Sequence, residues 1–356
     1  LRPDTAHQLY EVYLSKGVHA TTSIEGNTLS EEQVRQQIHR TLRLPKSQQY
    51  QAREVQNILD SCKEIAAAVL HEPVSELTPE RIAHFNKQVL RDLEVEDDVV
   101  PGVYRTYSVG VMGYRGAPWE DCEYLIAQLC RWLNMGFNSP DPEMNFALTL
   151  IKAIVAHLYI EWIHPFGDGN GRTGRLVEFQ ILVQSGLVPL PAGHLLSNHY
   201  NKTRSRYYLE LDKSSKSTSG LMEFLVYAIQ GFVDGLREQL QVVRGQHLDV
   251  TWINYVHEQF RDADTPARVR QKRLVLDMPE GITLKKDLRN VSARVAACYA
   301  TKGEKTLSRD LNALLRMKLV IRKERGYAPN RDLILAFLPP KREGQVGDVR
   351  TEGSLF

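Results

Sequence analysis

The segment His164-Pro-Phe-Gly-Asp168-Gly-Asn170-Gly-Arg172-Thr-Gly-Arg175 gathers one imidazole, one carboxylate, one carboxamide, four glycines and two guanidinium groups into twelve positions. Gly167, Gly169 and Gly171 remove side chains where a backbone must turn sharply, leaving N–H groups to form a concave anion site. Arg172 to Ser185 follows a helical pattern, so these amides fall at a helix N-terminus, where a phosphate is stabilised. No Gly-Lys-Ser/Thr follows the glycines, which excludes a Walker loop. Asp168 is a hard oxygen ligand suited to Mg²⁺ shared with phosphate oxygens. Arg172 and Arg175, three apart, share a helix face and can fork onto phosphate. His164 is the one group here able to take a proton near neutral pH. Singly, each residue is ordinary, since a His after an apolar helix usually caps it and helical arginines are usually solvated. Together they are the set needed for in-line attack of a hydroxyl on a phosphate. Phosphoryl transfer and nucleotidyl transfer are equally open at this point.

The elements that position this segment are mostly helical. Ala147 to Ile163 is nearly continuous in apolar residues, broken by Lys152, His157 and Glu161; this predicts a helix buried on most sides that delivers the chain to His164. His157 and Glu161, one turn apart, read as hydrogen-bonded core members. Thr78-Pro79-Glu80 is an N-cap with proline at the first helical position, followed by Ile82, Phe85 and Val89 at helical spacing. Ser30-Glu-Glu-Gln33 reads as a capping box. Between Val99 and Pro118, Gly102, Gly110, Gly113 and Gly116 punctuate Tyr104, Tyr107, Val109, Val111 and Tyr114, which predicts a β-hairpin, the one sheet of the main domain. Tyr124, Leu125, Leu129, Trp132 and Leu133 resume the helical period, as does the stretch from Gly220 to about Gln259. Arg261 to Pro279 is polar enough to be a connection. Thereafter short helices at Leu284–Leu288, Ser292–Tyr299 and from Leu307 precede Leu319-Val-Ile321 and Leu333–Phe337, which flank the polar turn Arg322–Arg331; this is the winged-helix order.

Across 356 residues with 42% apolar and 25% charged side chains, the composition is that of an ordinary globular protein. A net charge of +2 excludes a chain that coats nucleic acid throughout. The charge is uneven, however: Thr283 to Arg342 holds 15 Lys or Arg against 5 Asp or Glu, marking a separate basic module. No uninterrupted apolar stretch approaches the roughly 20 residues of a membrane span, so no membrane association is expected. Cys62, Cys122, Cys130 and Cys298 are scattered without CxxC or zinc spacing, which fits reduced thiols and a cytoplasmic setting.

The twelve-residue segment resembles the Fic family signature, His-Pro-Phe-x-Asp/Glu-Gly-Asn-Gly-Arg-x-x-Arg, at every specified position, and Ala156 to Ile163 is similar to that family's approach helix. The resemblance implies a mainly α Fic bundle with a small hairpin flap and transfer of AMP from Mg-ATP to a Ser, Thr or Tyr hydroxyl of a protein, the chain itself included. It makes His164 the base and Asp168 the Mg²⁺ ligand. It places Asn170 at the α-phosphate, with Phe166, Gly167, Gly169, Gly171, Arg172 and Arg175 around the nucleotide and Tyr207 and Tyr208 near the adenine. Thr21-Thr-Ser-Ile-Glu25-Gly26 resembles the family's inhibitory motif, which implies that Glu25, one helical turn after Thr21, pairs with Arg175 and obstructs the γ-phosphate. Val99–Pro118 corresponds to the flap that aligns the modified segment.

The expected organisation is an N-terminal helical region over residues 1–75 with the inhibitory helix at about 15–27, a Fic domain over 76–245, a helical linker over 246–280, a winged helix over 281–342 and a flexible tail over 343–356. In the basic module a third helix carrying Ser308, Arg309, Asn312 and Arg316 would read DNA, with phosphate contacts from Lys305, Lys318, Arg322, Lys323 and Arg325; dimerisation into a homodimer, or protein docking, is the competing use. Two other functions stand beside AMP transfer. One is removal of AMP, with Glu25 positioning water. The other is a DNA-binding regulator whose Fic domain senses nucleotide, against which the intact His164 counts, because a sensor needs no base.

Overall fold

Capping chemistry sets where the first helices begin. The computed structural model describes residues 3–71, 76–111, 114–261 and 265–335. After α1 (Pro3–Ile24) comes α2 (Glu31–Ile38), where the Gln33 N–H donates to Ser30 Oγ and the Ser30 N–H donates to Gln33 Oε1, the reciprocal box expected from sequence. α3 (Gln49–His71) follows, and then α4 (Pro79–Val89), opened by Thr78, whose hydroxyl accepts from the Arg81 N–H at 3.2 Å. The apolar stripe of α4 buries Ile82, Phe85 and Val89 together with the polar Asn86.

The expected hairpin forms over a short stretch only. β1 (Gly110–Val111) and β2 (Tyr114–Arg115) pair antiparallel, with Gly110 opposite Arg115 and Val111 opposite Tyr114. The other described residues of 99–118 form no ladder, and their backbone bonds elsewhere: Gly102 N–H donates to Asn86 Oδ1 at 2.9 Å and Arg105 N–H to Pro165 O at 3.0 Å. Tertiary partners have replaced ladder partners.

α5 (Cys122–Met135) precedes α6 (Pro142–Ile163), which begins five residues before the expected Ala147 because Asp141 caps it, accepting from Glu143 N–H at 2.9 Å. By length and mean composition α6 is sufficient to cross a bilayer, although Glu143, Lys152 and Glu161 interrupt its apolar run as expected from sequence. Here it is a core helix whose Ala153 to Leu158, Ile160 and Ile163 are buried and which packs along α7 (Asn170–Gln184). The layer is completed by α8 (Leu195–Lys202), α9 (Arg204–Ser214) and the start of α10 (Thr218–Gln259). α1 lies along α8 and touches α7. It is longer than the expected 15–27 at its start and ends just before Glu25, where Gly26 adopts φ 97°, a conformation glycine accepts without steric cost.

The chain divides into two units, Leu1–Leu240 and Gln241–Phe356. The second contains the end of α10, α11 (Pro266–Asp277), α12 (Ala293–Tyr299), α13 (Glu304–Arg316), the antiparallel β3 (Val320–Lys323) and β4 (Gly326–Pro329), and α14 (Asp332–Leu335). Residues 246–280 are therefore no linker: Trp252, Val256, Phe260, Leu274 and Val275 sit in its core with Leu307, Leu311 and Leu314. Arg268 and Arg273 lie on the exposed face of α11, whereas Arg270 turns inward. Leu284–Leu288 is not helical, since Thr283 and Tyr327 exchange two backbone hydrogen bonds of 2.8 and 2.9 Å and leave only a 3₁₀ turn at Leu288–Asn290. The second strand is Gly326–Pro329 rather than Leu333–Phe337, and the expected tail 343–356 lies outside the described residues.

Buried Asp310 on α13 organises this second unit. It accepts from Arg270 at 2.6 and 3.1 Å, from Gln271 at 3.0 Å and from the Tyr299 hydroxyl at 2.9 Å. Asp310→Ala strands a partly buried guanidinium and two further donors, so it is expected to cost about 3–5 kcal/mol. Hydrogen exchange on the full chain should lose protection over 252–335 and keep it in α6 and α7.

Candidate active site

α6 ends at His164, which adopts a left-handed conformation (φ 50°, ψ 58°). A non-glycine residue in this region is strained and persists only when its surroundings hold it. The holding comes from the loop before the hairpin. Arg105, 3% exposed, donates through Nε to His164 O at 2.7 Å and through its terminal nitrogens to Tyr107 O at 2.6 Å, Ala117 O at 2.5 Å and Ile163 O at 3.3 Å. His164 Nδ1 lies 3.3 Å from Glu161 O. A carbonyl only accepts, so in the neutral ring this contact favours the tautomer with the proton on Nδ1 and leaves Nε2 as the acceptor.

The glycine turn that follows is braced from beneath. Asn170 exchanges hydrogen bonds of 2.9 Å with the Phe166 N–H and carbonyl, while Asn86 donates to Asp168 O at 2.8 Å. Gly169 has φ 77° and caps α7. Gly171 leaves room for the ends of three side chains, since a Cβ there would press on Glu25, Arg175 and Glu161. The turn and the N-terminus of α7 border a cavity of about 360 Å³ walled also by Glu25, Tyr114, Glu161, Trp162, His164, Arg175, Tyr207 and Tyr208.

Electrostatically the cavity is held shut around Arg175. This guanidinium, 2% exposed, donates through Nε to the Thr21 hydroxyl at 2.8 Å, through Nη2 to Thr21 O at 3.2 Å, and forms an ion pair with Glu25. Burial opposes its charge, but Glu25 more than compensates and strengthens protonation. Tyr208 donates to Ile24 O at 3.0 Å, fixing the end of α1 over the cavity.

Not every residue read from sequence faces the cavity. Phe166 is buried against Tyr104 beneath the turn. Arg172 is directed away, to Glu54 at 3.0 Å and Asp168 at 3.3 Å, and Asn170 uses its side chain to brace the turn. Tyr207 lines the wall and its hydroxyl meets His157 Nε2 at 3.1 Å. Asn86, Glu54 and Arg105 escaped sequence reasoning. A buried amide in the stripe of α4 was the one signal available.

Residues 76–182 match the model of the Fic/DOC family. That region is similar to a Fic domain. Protein adenylyltransferase fic-1 of Caenorhabditis briggsae is 30% identical over 197 residues, and protein adenylyltransferase Fic of Drosophila ananassae is 28% identical over 191 residues. Both alignments cover 54% of this chain and 35% of the relative, so the chain spans about a third of the length of these curated relatives. A Fic family protein from Desulfovibrio desulfuricans G20 shares the fold at 19% identity, with a TM-score of 0.55 over 90% of this chain and 87% of that one.

Behind the glycine turn, His157 is the central group of a buried ionic cluster. Its Nδ1 lies 3.3 Å from Glu178 Oε1 and its Nε2 3.6 Å from Glu161 Oε1. Burial alone would lower its pKa, but Glu178 and Glu161 overcome that and push it up to about 9. Burial likewise opposes ionisation of Glu161, yet His157 holds its carboxyl below the ordinary range. The sequence reading of both as core members is incomplete, because Glu161 also lines the cavity and its Oε2 lies 4.0 Å from His164 Nδ1. His157 is raised above its ordinary 6.5, so the stability this pairing contributes is fully present below about pH 6.5 and is lost as the pH rises through about 9. Thermal unfolding should therefore occur at falling temperature between pH 7 and 10. Glu178→Gln should flatten that dependence, and an unchanged slope would contradict the assignment.

Proposed function

We propose that the chain is a protein adenylyltransferase that transfers AMP from Mg-ATP to a protein hydroxyl and is held inactive by Glu25. The observation that carries this reading is the Glu25–Arg175 ion pair in the cavity that His164 borders. The relatives named protein adenylyltransferase support the choice of AMP over a terminal phosphoryl group.

In this reading the target hydroxyl approaches His164, and its proton passes to Nε2. The hydroxyl oxygen attacks the α-phosphorus, the new O–P bond forms as the bond to the β-phosphate bridge breaks, and pyrophosphate leaves. Backbone amides at the N-terminus of α7 hold the phosphates. Asp168 fits a metal held mainly by phosphate oxygens: it is one half-exposed carboxylate, and its hydrogen bonds to Gly169 and Arg172 use only Oδ1. Mg²⁺ bound there would neutralise phosphate charge.

Glu25 blocks the reaction twice, by neutralising Arg175 and by putting a carboxylate where the γ-phosphate must sit. With α-labelled ATP and a cell lysate, Glu25→Gly is expected to label protein on the order of tenfold or more above the parent chain, corresponding to about 1.4 kcal/mol or more. Glu25→Gly with His164→Ala should label nothing. Label arriving from γ-labelled ATP would contradict AMP transfer.

A second reading concerns the C-terminal unit, taken as a winged helix that binds duplex DNA. On α13, Arg309, Asn312 and Arg316 are exposed, and Lys305, Arg309, Arg316, Lys318, Arg322, Lys323 and Arg325 have no ion-pair partner among the described residues. Such unpaired cations supply phosphate contacts. Binding of a fluorescent duplex should weaken steeply from about 50 to 200 mM salt and drop in Arg309→Ala with Arg316→Ala; no binding at low salt would refute it.

A further inference from the structure

Beside the nucleotide cavity, across the hairpin, lies a second hollow of about 400 Å³. Its walls are apolar and aromatic, with Gln128 the one amide and no charged residue among them. Trp132, Tyr159 and Trp162 form a chain of rings with centroid separations of 5.5 Å between Trp132 and Tyr159 and 4.8 Å between Tyr159 and Trp162. Leu125 and Leu129 from α5 face them.

Two features tie this groove to the reacting hydroxyl. Tyr114 and Trp162 wall both hollows and are joined by a 2.7 Å hydrogen bond from the Tyr114 hydroxyl to Trp162 O. Ala117 and Ile163, also in its wall, are linked by a 3.3 Å backbone bond, and Ile163 is the residue before His164. Ile163 in the groove wall and His164 are thus consecutive residues, their Cα atoms about 3.8 Å apart. One of the groove's rings, Trp132, is 44% exposed. An exposed tryptophan set among further aromatic rings is the composition of a protein-binding hot spot.

We propose that this groove takes a large apolar side chain, aromatic or branched aliphatic, that neighbours the modified hydroxyl in the target protein. The inference rests on the AMP-transfer reading for the identity of the reacting residue. A target segment lying along the hairpin places alternate side chains on opposite faces, so one enters the cavity at His164 while a neighbour settles between Trp132 and Leu125. The absence of charge in the wall rejects acidic and basic neighbours, which would be desolvated without a partner.

The test uses the full chain carrying Glu25→Gly and two pools of fluorescent synthetic peptides built around one threonine in a glycine–asparagine background. One pool carries Phe or Leu at each neighbouring position in turn, and the other carries Asn there. Binding is read by polarisation without ATP, and AMP transfer with α-labelled ATP. The apolar pool should bind on the order of tenfold or more tighter than the polar pool. Adding Trp132→Ala and Leu125→Asn should abolish that preference while release of AMP from ATP by hydrolysis stays unchanged. Equal binding of both pools, or a preference that survives both substitutions, overturns the proposal. So does self-association of the chain that Trp132→Ala removes, if no peptide preference accompanies it. Tight binding of the apolar pool without AMP label sustains the groove and sinks the AMP-transfer reading instead.

Discussion

One guanidinium, Arg175, is claimed by both halves of the site. It sits on α7, behind the glycine turn, and is the cation best placed among the cavity walls to meet a phosphate. Its donors go to Thr21 and Glu25 at the end of α1. A buried guanidinium without a counter-charge is costly, so some anion must always be near it. A carboxylate of the chain and a phosphate of the nucleotide can each fill that role, and they cannot do so together. The position of α1 along α8, the turn at Gly26 and the missing side chain at Gly171 all serve to bring Glu25 to that point.

The same economy of charge runs deeper into the core. His157 is flanked by Glu178 and Glu161, and Glu161 reaches the cavity beside His164. His164 and its neighbouring carboxylate therefore rest on a buried cluster in which His157 lies between two carboxylates and Arg175 adds a second positive charge beside Glu161, which is how ionic groups survive in a helix as apolar as α6. Arg105 performs the analogous task on the backbone, supplying donors to four carbonyls around a residue in a strained conformation.

How much of this was legible beforehand depends on whether the cause was local. The helix starts at Ser30 and Thr78 are written in adjacent residues, and so is the glycine-rich segment, although α7 begins at Asn170, two residues before the expected Arg172. Glu25 was legible only through resemblance. Asn86, Arg105 and Glu54 were not, since their partners lie far away in sequence and a lone amide or arginine does not reveal which carbonyl it will meet. The hairpin came out short for the same reason, its amides being drawn to Asn86 and Pro165. In the second unit, Thr283 pairs with Tyr327 across 44 positions, a contact that no helical pattern over Leu284–Leu288 can anticipate, and the charged outer face of α11 masked the two core residues Leu274 and Val275.

The central claim is that Glu25 and a γ-phosphate compete for Arg175. Calorimetric titration of the parent chain and of Glu25→Gly with Mg-ATP and Mg-ADP measures that competition without any target protein. Removing Glu25 should tighten ATP binding on the order of tenfold or more and leave ADP binding little changed. Equal affinities of the two chains for ATP, or an equal gain for ADP, would contradict it.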